Sequence, residues 1–458
     1  MSTYVTTNPS TGITEREFPG LPDDRIPGIA ERSAEGFRSW RRTPVAERAA
    51  ALARTADLYE KRSAELAAAI TREMGKPIEQ AAAEVRLAAD IYRWYAEHGP
   101  ELLTTEQLDP QGAQESVVQT LPIGPLIGVM PWNYPYYQVA RFAAPNLLLG
   151  NTIVLEHASI CAASSELVAE VLHTAGVPDD AYINVYASAR QIAQLLAHPA
   201  IRGVSLTGSE SAGASVAAEA SKNLKKSVLE LGGSDPFILL DTADMAETVR
   251  IAARARLANA GQACNSPKRF IVLDELYDDF VQGLVSEFDR AVVGDPADTG
   301  TEVGPLSSVS ARDTVADQVG TAVRQGATLH TGGSPGDGDG AFLEPAVLTG
   351  ITPGMDAYSE EIFGPVAMAY RASCVDDAVR LANDVGFGLS GSVWSADLAR
   401  AAQVADRLDV GMAYVNEHGT TLPGLPFGGV KRSGYGRELA RWGMGEFVNV
   451  KLRRVSVR

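Results

Sequence analysis

The chain is poor in cysteine, short of basic residues, and without a long apolar run. It holds 3 cysteines in 458 residues: Cys161, Cys264 and Cys374. A sparse, odd number makes no disulfide framework and fits a reducing compartment. Lys and Arg number 40 against 57 Asp and Glu, giving a formal net charge of -17. That acidity argues against nucleic acid or an anionic membrane surface as partner. No stretch approaches the roughly 18 consecutive apolar residues of a membrane span. Met1 to Pro9 lacks the basic stretch and apolar core of a secretory signal. A cytoplasmic protein with no membrane partner and no metal is the expectation. Also absent around Thr207-Gly208-Ser209 is G-x-G-x-x-G, the ordinary dinucleotide fingerprint.

What remains is an ordinary globular composition, 45% hydrophobic and 21% charged, long enough for two or three domains. Residues 28 to 99 read as helical, broken at a charged turn around Gly75-Lys76-Pro77. Beyond them the pattern changes to short β-rich runs alternating with helices. Strands are expected at 116–121, 126–130, 152–155, 203–206 and 228–231, then at 237–240, 269–273, 366–370, 392–394 and 412–416. Such alternation predicts βαβ units and parallel sheets. A boundary is expected near Gly232-Gly233, and residues 447–457 could form a strand donated to a partner sheet.

Four positions could carry chemistry, and each has a plainer alternative. Cys264, in Gly261-Gln262-Ala263-Cys264-Asn265, could be a nucleophile toward carbonyl carbon or a buried structural thiol. Cys161 and Cys374 have no acid or base motif nearby and read as structural. Glu230, before Gly232-Gly233, could be a general base with a raised pKa or a solvated strand-end carboxylate. Asn133, in Pro131-Trp132-Asn133-Tyr134-Pro135, could donate to an oxyanion or hold a turn. Thr207-Gly208-Ser209 follows a strand and opens a helix. It suits an anion, though capping by Ser209 explains it equally well.

Taken together and in order, these pieces resemble the aldehyde dehydrogenase superfamily. The shared motifs are Pro131-Trp132-Asn133-Tyr134-Pro135, Leu206-Thr207-Gly208-Ser209, Leu229-Glu230-Leu231-Gly232-Gly233, Gly261-Gln262-Ala263-Cys264, Glu361-Ile362-Phe363-Gly364-Pro365 and Pro426-Phe427-Gly428-Gly429-Val430-Lys431. They span essentially the whole chain, and the interval from Glu230 to Cys264 also matches. The resemblance implies an α/β fold in three parts. Residues 1–104 and 125–231 would form a Rossmann-like cofactor domain. Residues 232–428 would form a second α/β, catalytic domain, and 105–124 with 446–458 a small β oligomerisation arm. It also implies a homodimer or homotetramer.

The same resemblance implies roles. Cys264 attacks the aldehyde to give a thiohemiacetal and then a thioester. Asn133 and the Cys264 N–H hold the oxyanion. Glu230 activates the hydrolytic water, and Glu438 either relays its protons or is only a surface helix glutamate. The cofactor would meet Trp132, Glu156, Ser159, Gly208, Ser209, Leu231, Glu361 and Phe363. The substrate would meet Arg141, Asn265 and Phe427.

Arg141-Phe142-Ala143-Ala144-Pro145 is similar to the short bacterial succinate-semialdehyde dehydrogenases. In their tunnel an arginine fork suits a carboxylate, the alternative being an interface salt bridge. Two departures stand out. Glu156 replaces the usual lysine, which favours NAD over NADP through charge, whereas the small Ser159 and the family favour NADP, so both cofactors stay open. Asn265-Ser266-Pro267 and Glu417-His418-Gly419 depart from the subgroup, which leaves a neutral aliphatic or aromatic aldehyde as an alternative substrate. Glu230 argues against a CoA-acylating relative. The joint presence of Cys264, Glu230, Asn133 and Glu361 argues against a non-catalytic protein on this fold.

Overall fold

The computed structural model describes residues 4–456. Residues 1–3 of the expected cofactor segment and 457–458 of the expected arm lie outside the described residues. Two parallel sheets dominate. In the first, Pro125–Met130 lies between Thr152–His157 and Gly203–Thr207, with Tyr182–Val185 and Lys226–Glu230 outside them, all parallel. The chain winds outward from its first strand in both directions, which creates a switch point beside Pro125–Met130. In such sheets a crevice opens there, beyond the carboxyl ends of the strands. The short strand Gly434–Tyr435 closes one edge antiparallel to Glu230 and Leu229.

The second sheet runs Thr328–Thr331, Ala346–Thr349, Val366–Ala372, Pro267–Leu273, Asp235–Leu239, Ser390–Trp394 and Met412–Val415, antiparallel only at its first pair. Its strands Pro267–Leu273 and Asp235–Leu239 are buried along their whole length. Strands covered on both faces tend to read as apolar runs, and the apolar stretches Phe237 to Leu239 and Phe270 to Leu273 made these two legible despite Asp235, Lys268 and Arg269 at their starts. Val448–Ser456, Ala113–Pro122 and Glu106–Gln107 form a separate antiparallel sheet. The tail therefore pairs with its own chain, and Val450 and Leu452 stand exposed on it.

The helical N-terminal region is four helices, Ile26–Trp40, Val45–Lys61, Ser63–Met74 and Ile78–Leu102. Before them the hairpin Tyr4–Asn8 with Ile13–Phe18 was not anticipated from the sequence. Nor was the charged turn an exposed one. The Lys76 side chain is 1% exposed, forms an ion pair with the buried Glu84, and donates to the Asn133 carbonyl at 2.8 Å. Glu84 in turn accepts from the N–H groups of Tyr136 and Tyr137 at 2.9 and 3.3 Å. One buried pair thus pins the N-terminal helices to the turn that carries Asn133.

Because a buried pair loses most when one partner is left alone, Lys76→Met should destabilise the fold by about 3–5 kcal/mol. Urea denaturation checks this. The double variant Lys76→Met/Glu84→Met should lose less than the single, and an equal or larger loss would refute the pairing argument.

Candidate active site

The site lies where the carboxyl ends of the first sheet meet the amino ends of the second. Trp132 and Asn133 follow Pro125–Met130, Thr207–Ser209 end the next strand, and Glu230 ends Lys226–Glu230. From the other side come Gly232-Gly233 before Asp235–Leu239, Cys264 before Pro267–Leu273, and Glu361 to Phe363 before Val366–Ala372.

Cys264 sits at the junction of two cavities. One, of about 200 Å³, is lined by Tyr134, Tyr137, Gln138, Asn265, Thr421 and Phe427 among others. The second, of about 290 Å³, is lined by Trp132, Asn133, Gln138, Thr207 to Ser209, Leu231, Gly232, Glu361 and Phe363. Only Cys264 and Gln138 line both. Gln138 was not singled out in the sequence, since a glutamine inside an apolar helix carries no motif. Its Oε1 is buried and has no hydrogen-bond partner among the described residues.

The nucleophile loop is set by backbone geometry. Asn259, Ala260 and Gly261 all have positive φ, at 54°, 52° and 72°. At Gly261 a Cβ would lie 2.2 Å from the Gly364 carbonyl oxygen, so only glycine allows the two loops to meet. Asn133 Nδ2 donates to the Gln262 carbonyl at 3.0 Å, which brings the amide beside the nucleophile loop. Burial pushes the Cys264 thiol up to about 12, against the opposing pull of Arg141 and Lys268. The resting sulfur is therefore a thiol that must lose a proton before it attacks.

Glu230 is buried at 2% exposure, and neither carboxylate oxygen has a hydrogen-bond partner among the described residues. Burial raises its pKa well above the carboxylate range, opposed by Arg141. A Cβ at Gly428 would stand 2.7 Å from Glu230 Oε1, so that glycine leaves the carboxyl its room. Glu438 is no surface glutamate. It is 4% exposed, pairs with Arg141 and accepts from Ser205 Oγ at 3.2 Å.

The expectation for Arg141 is corrected in part. The helix that carries it, Pro135–Leu149, is buried on every residue. Its guanidinium is held by Glu438, by Tyr137 Oη at 3.0 Å and by Thr207 Oγ1 at 3.1 Å, and lies 4.3 Å from the Phe427 ring. Arg141 lines neither cavity directly. An arginine inside a helix with no solvent face must find its partners within the protein. Tyr137, which does line the pocket, accepts from Arg141 and keeps its own proton to donate.

Asn265 lines the smaller cavity, with its Nδ2 3.2 Å from the Gly419 carbonyl and its own carbonyl 2.7 Å from His418 Nε2. Burial lowers the His418 pKa to about 4, so the ring is neutral near pH 7.

The larger cavity suits the nicotinamide and phosphate end of a dinucleotide. Gly208 and the capped start of helix Glu210–Lys222 stand at the switch point, where free N–H groups favour phosphate. Ser209 Oγ accepts from the Ala212 N–H at 3.3 Å, so it does cap the helix. A Cβ at Gly232 would fall 2.3 Å from Glu361 Oε2, so glycine gives that carboxylate its place in the cavity. The Trp132 and Phe363 rings meet edge-on at 5.8 Å. Glu156 and Ser159 lie outside this cavity, at the end of Thr152–His157 and in the turn Ser159–Cys161. Tyr4 Oη lies 2.7 Å from Glu156 Oε1 and 2.8 Å from the Ala187 carbonyl oxygen. One hydroxyl proton cannot serve both acceptors, so the triad is satisfied when Glu156 is protonated and donates. Burial raises the Glu156 pKa to about 8, consistent with that.

The sequence profile of the aldehyde dehydrogenase family matches residues 2–452, and the chain belongs to that family. It is an oxidoreductase that oxidises an aldehyde with a nicotinamide cofactor. A succinate-semialdehyde dehydrogenase (NADP+) of Deinococcus radiodurans is 51% identical over 98% of this chain and 94% of its own length. One from Mycobacterium avium is 43% identical over 98% of this chain and 95% of its own length. The solved succinic semialdehyde dehydrogenase of Streptococcus pyogenes, in complex with NADP+, has a TM-score of 0.97 at 40% identity, covering 99% of this chain and 100% of that one.

With the thiol held near 12, alkylation of Cys264 by iodoacetamide should rise about tenfold per pH unit up to pH 9, following the thiolate fraction. Peptide mass spectrometry follows the label, and a plateau near pH 7 would show an already ionised sulfur.

Proposed function

We propose that the protein oxidises succinate semialdehyde to succinate with NADP through a covalent intermediate on Cys264. The observation that carries this is the thiol at the junction of a small pocket that holds Tyr137 and Asn265 and a cavity that reaches from Glu361 to the turn Thr207 to Ser209. The Cys264 sulfur adds to the aldehyde carbon as its proton passes to Glu230, once that carboxyl is ionised. Asn133 and the Cys264 N–H receive the oxyanion. A bound nicotinamide supplies the hydride acceptor. The thiohemiacetal gives up its hydride and becomes a thioester. Glu230 passes that proton on to solvent, takes a second from water as the water attacks the acyl carbon, and returns it to the Cys264 sulfur, which leaves as the thiol while the acid is released. Glu438, tied to Arg141, is in place to share the proton load. Glu361, Phe363, Trp132, Gly208, Ser209 and Leu231 hold the cofactor.

The substrate carboxylate is met by Tyr137 and Asn265. The positive charge of Arg141 reaches the pocket through the Tyr137 hydroxyl, while Phe427 separates it from the pocket. NADP is favoured over NAD because a protonated Glu156, turned to Tyr4, does not repel a 2′-phosphate, and because the relatives named above carry NADP in their names. The segments 1–104 with 125–231, 232–428, and 105–124 with 446–458 serve as cofactor domain, catalytic domain and oligomer arm. The exposed Val450 and Leu452 suit the arm to a homodimer or homotetramer, and the chain works in the cytoplasm.

Cys264→Ala should abolish NADPH formation while leaving cofactor binding intact, and undiminished turnover would refute the mechanism. Tyr137→Phe should raise KM for succinate semialdehyde by about tenfold or more, since a hydrogen bond to a charged group contributes about 1.5–3 kcal/mol. Butanal kinetics in the same variant should hardly change, and equal losses on both substrates would make Tyr137 merely structural.

Glu156 is neutral below a pKa of about 8 and charged above it. The kcat/KM ratio of NADP to NAD should therefore fall as pH is raised from 7 to 9. Glu156→Gln should flatten that fall, and a profile identical to wild type would remove Glu156 from cofactor selection.

A further inference from the structure

Lys268 is the buried cation of the site that neither the motifs nor the reaction above uses. It lies in Pro267–Leu273 and is 0% exposed. Its ammonium donates to the carbonyls of Ala263 and Cys264, each at 2.9 Å, and meets Glu361 Oε1 at 3.1 Å. It also stands 5.9 Å from the Phe363 ring centroid. An ammonium has three N–H donors, and these three short contacts take them, with the Ser266 carbonyl a longer fourth contact at 3.4 Å. Two go to the nucleophile loop and one to the carboxylate that faces the dinucleotide cavity.

The surroundings make this bridge the movable part. Arg256, also fully buried, fixes the backbone on both sides. It donates to the carbonyls of Gly261 and Ile362 at 3.1 and 2.9 Å and to Val366 at 2.6 Å. It also reaches Ser266 Oγ at 3.0 Å. The loops are thereby held while the Glu361 side chain, which has Gly232 rather than a Cβ beside it, has room to turn. Its other contact is the Gly233 N–H at 3.1 Å. When Glu361 turns to ribose hydroxyls, the ammonium loses the carboxylate it touches, and the buried Asp235 is the remaining acid that feels its charge. It stays hydrogen-bonded to the carbonyl of Cys264. The ammonium already pulls against the burial that keeps the sulfur protonated, and with its ion pair broken it stabilises the thiolate further.

We infer that Lys268 is a positioning residue that couples cofactor occupancy to the reactivity of Cys264, by exchanging its ion pair with Glu361 for an unshared charge beside the nucleophile. This rests on the reading that Glu361 meets the nicotinamide ribose. The consequence is a nucleophile that is quiet in the free enzyme and reactive once the hydride acceptor is in place, which limits wasteful modification of the thiol.

The test is the rate of Cys264 alkylation by iodoacetamide, read by peptide mass spectrometry so that Cys161 and Cys374 do not interfere. Rates are measured for the free protein, with NADPH, whose reduced ring carries no positive charge, and with 2′,5′-ADP, which lacks the nicotinamide ribose. The ratio of the NADPH rate to the free rate should be higher in wild type than in Lys268→Met by about tenfold, equivalent to one unit of thiol pKa. Lys268→Arg should recover most of the difference, and 2′,5′-ADP should give the same ratio in all three proteins. Equal NADPH ratios in wild type and Lys268→Met would overturn the inference.

Should Lys268→Met not fold, Glu361→Gln tests the other half of the bridge. It keeps the side-chain shape and removes the charge, so its free form should already alkylate faster than the free wild type, with little further gain on NADPH. A free rate equal to wild type would overturn the coupling. NADPH titration by fluorescence separates the two readings. If Glu361→Gln leaves NADPH affinity unchanged, the assignment of Glu361 to the ribose fails. If that affinity falls while the alkylation rates do not follow the pattern above, only the role of Lys268 fails.

Discussion

Four cations sit in the dry interior around one thiol, and the rest of the site is arranged by what each requires. Lys76, Arg141, Arg256 and Lys268 are all essentially without solvent exposure. A buried cation needs either an anion or a full set of oxygen acceptors. Lys76 finds Glu84 and the Asn133 carbonyl, so it fixes the oxyanion turn. Arg141 finds Glu438, Tyr137 and Thr207, so it ties the closing segment of the chain to the first sheet. Arg256 finds main-chain carbonyls and Ser266, so it holds the nucleophile loop against the segment that follows Glu361. Lys268 divides itself between Cys264 and Glu361. The segments that carry Asn133, Thr207, Cys264 and Glu438 are each gripped by one of these groups.

The same low-dielectric interior explains the protonation states. Cys264 and Glu230 are both pushed toward their neutral forms by burial, with Arg141 opposing in each case. Each must give up a proton before it can act as nucleophile or base, so a change in local charge controls both. A ligand entering either cavity brings such a change to the charges around the thiol. Placing the nucleophile between a substrate pocket and a dinucleotide cavity makes its chemistry depend on both being filled.

Much of the fold was legible because burial on both faces leaves an unmistakable pattern. The strands around 126–130, 203–206 and 269–273 were placed to within two residues, since covered parallel strands are rich in apolar and β-branched residues. Tyr182–Val185, Ala346–Thr349 and the N-terminal hairpin were missed. They are short or mixed in polarity, and their pairing is decided by partners far away in sequence. The helix boundaries at Arg62 and near Gly75 follow local geometry, but nothing local shows that Lys76 faces inward.

The sequence by itself determined the family chemistry. Cys264, Glu230, Asn133 and Glu361 lie in ordered motifs whose residue types suit a nucleophile, a base, an oxyanion donor and a ribose acceptor. Such motifs are local, so a linear reading finds them. The tertiary structure decided which charged group meets which. It turned Arg141 from a pocket wall into a cation beneath Tyr137, set Glu156 against Tyr4, and joined Lys268 to Glu361. These pairings cross long intervals of chain. They are fixed by the requirement that each buried charge be answered in space, a condition that residue order does not record.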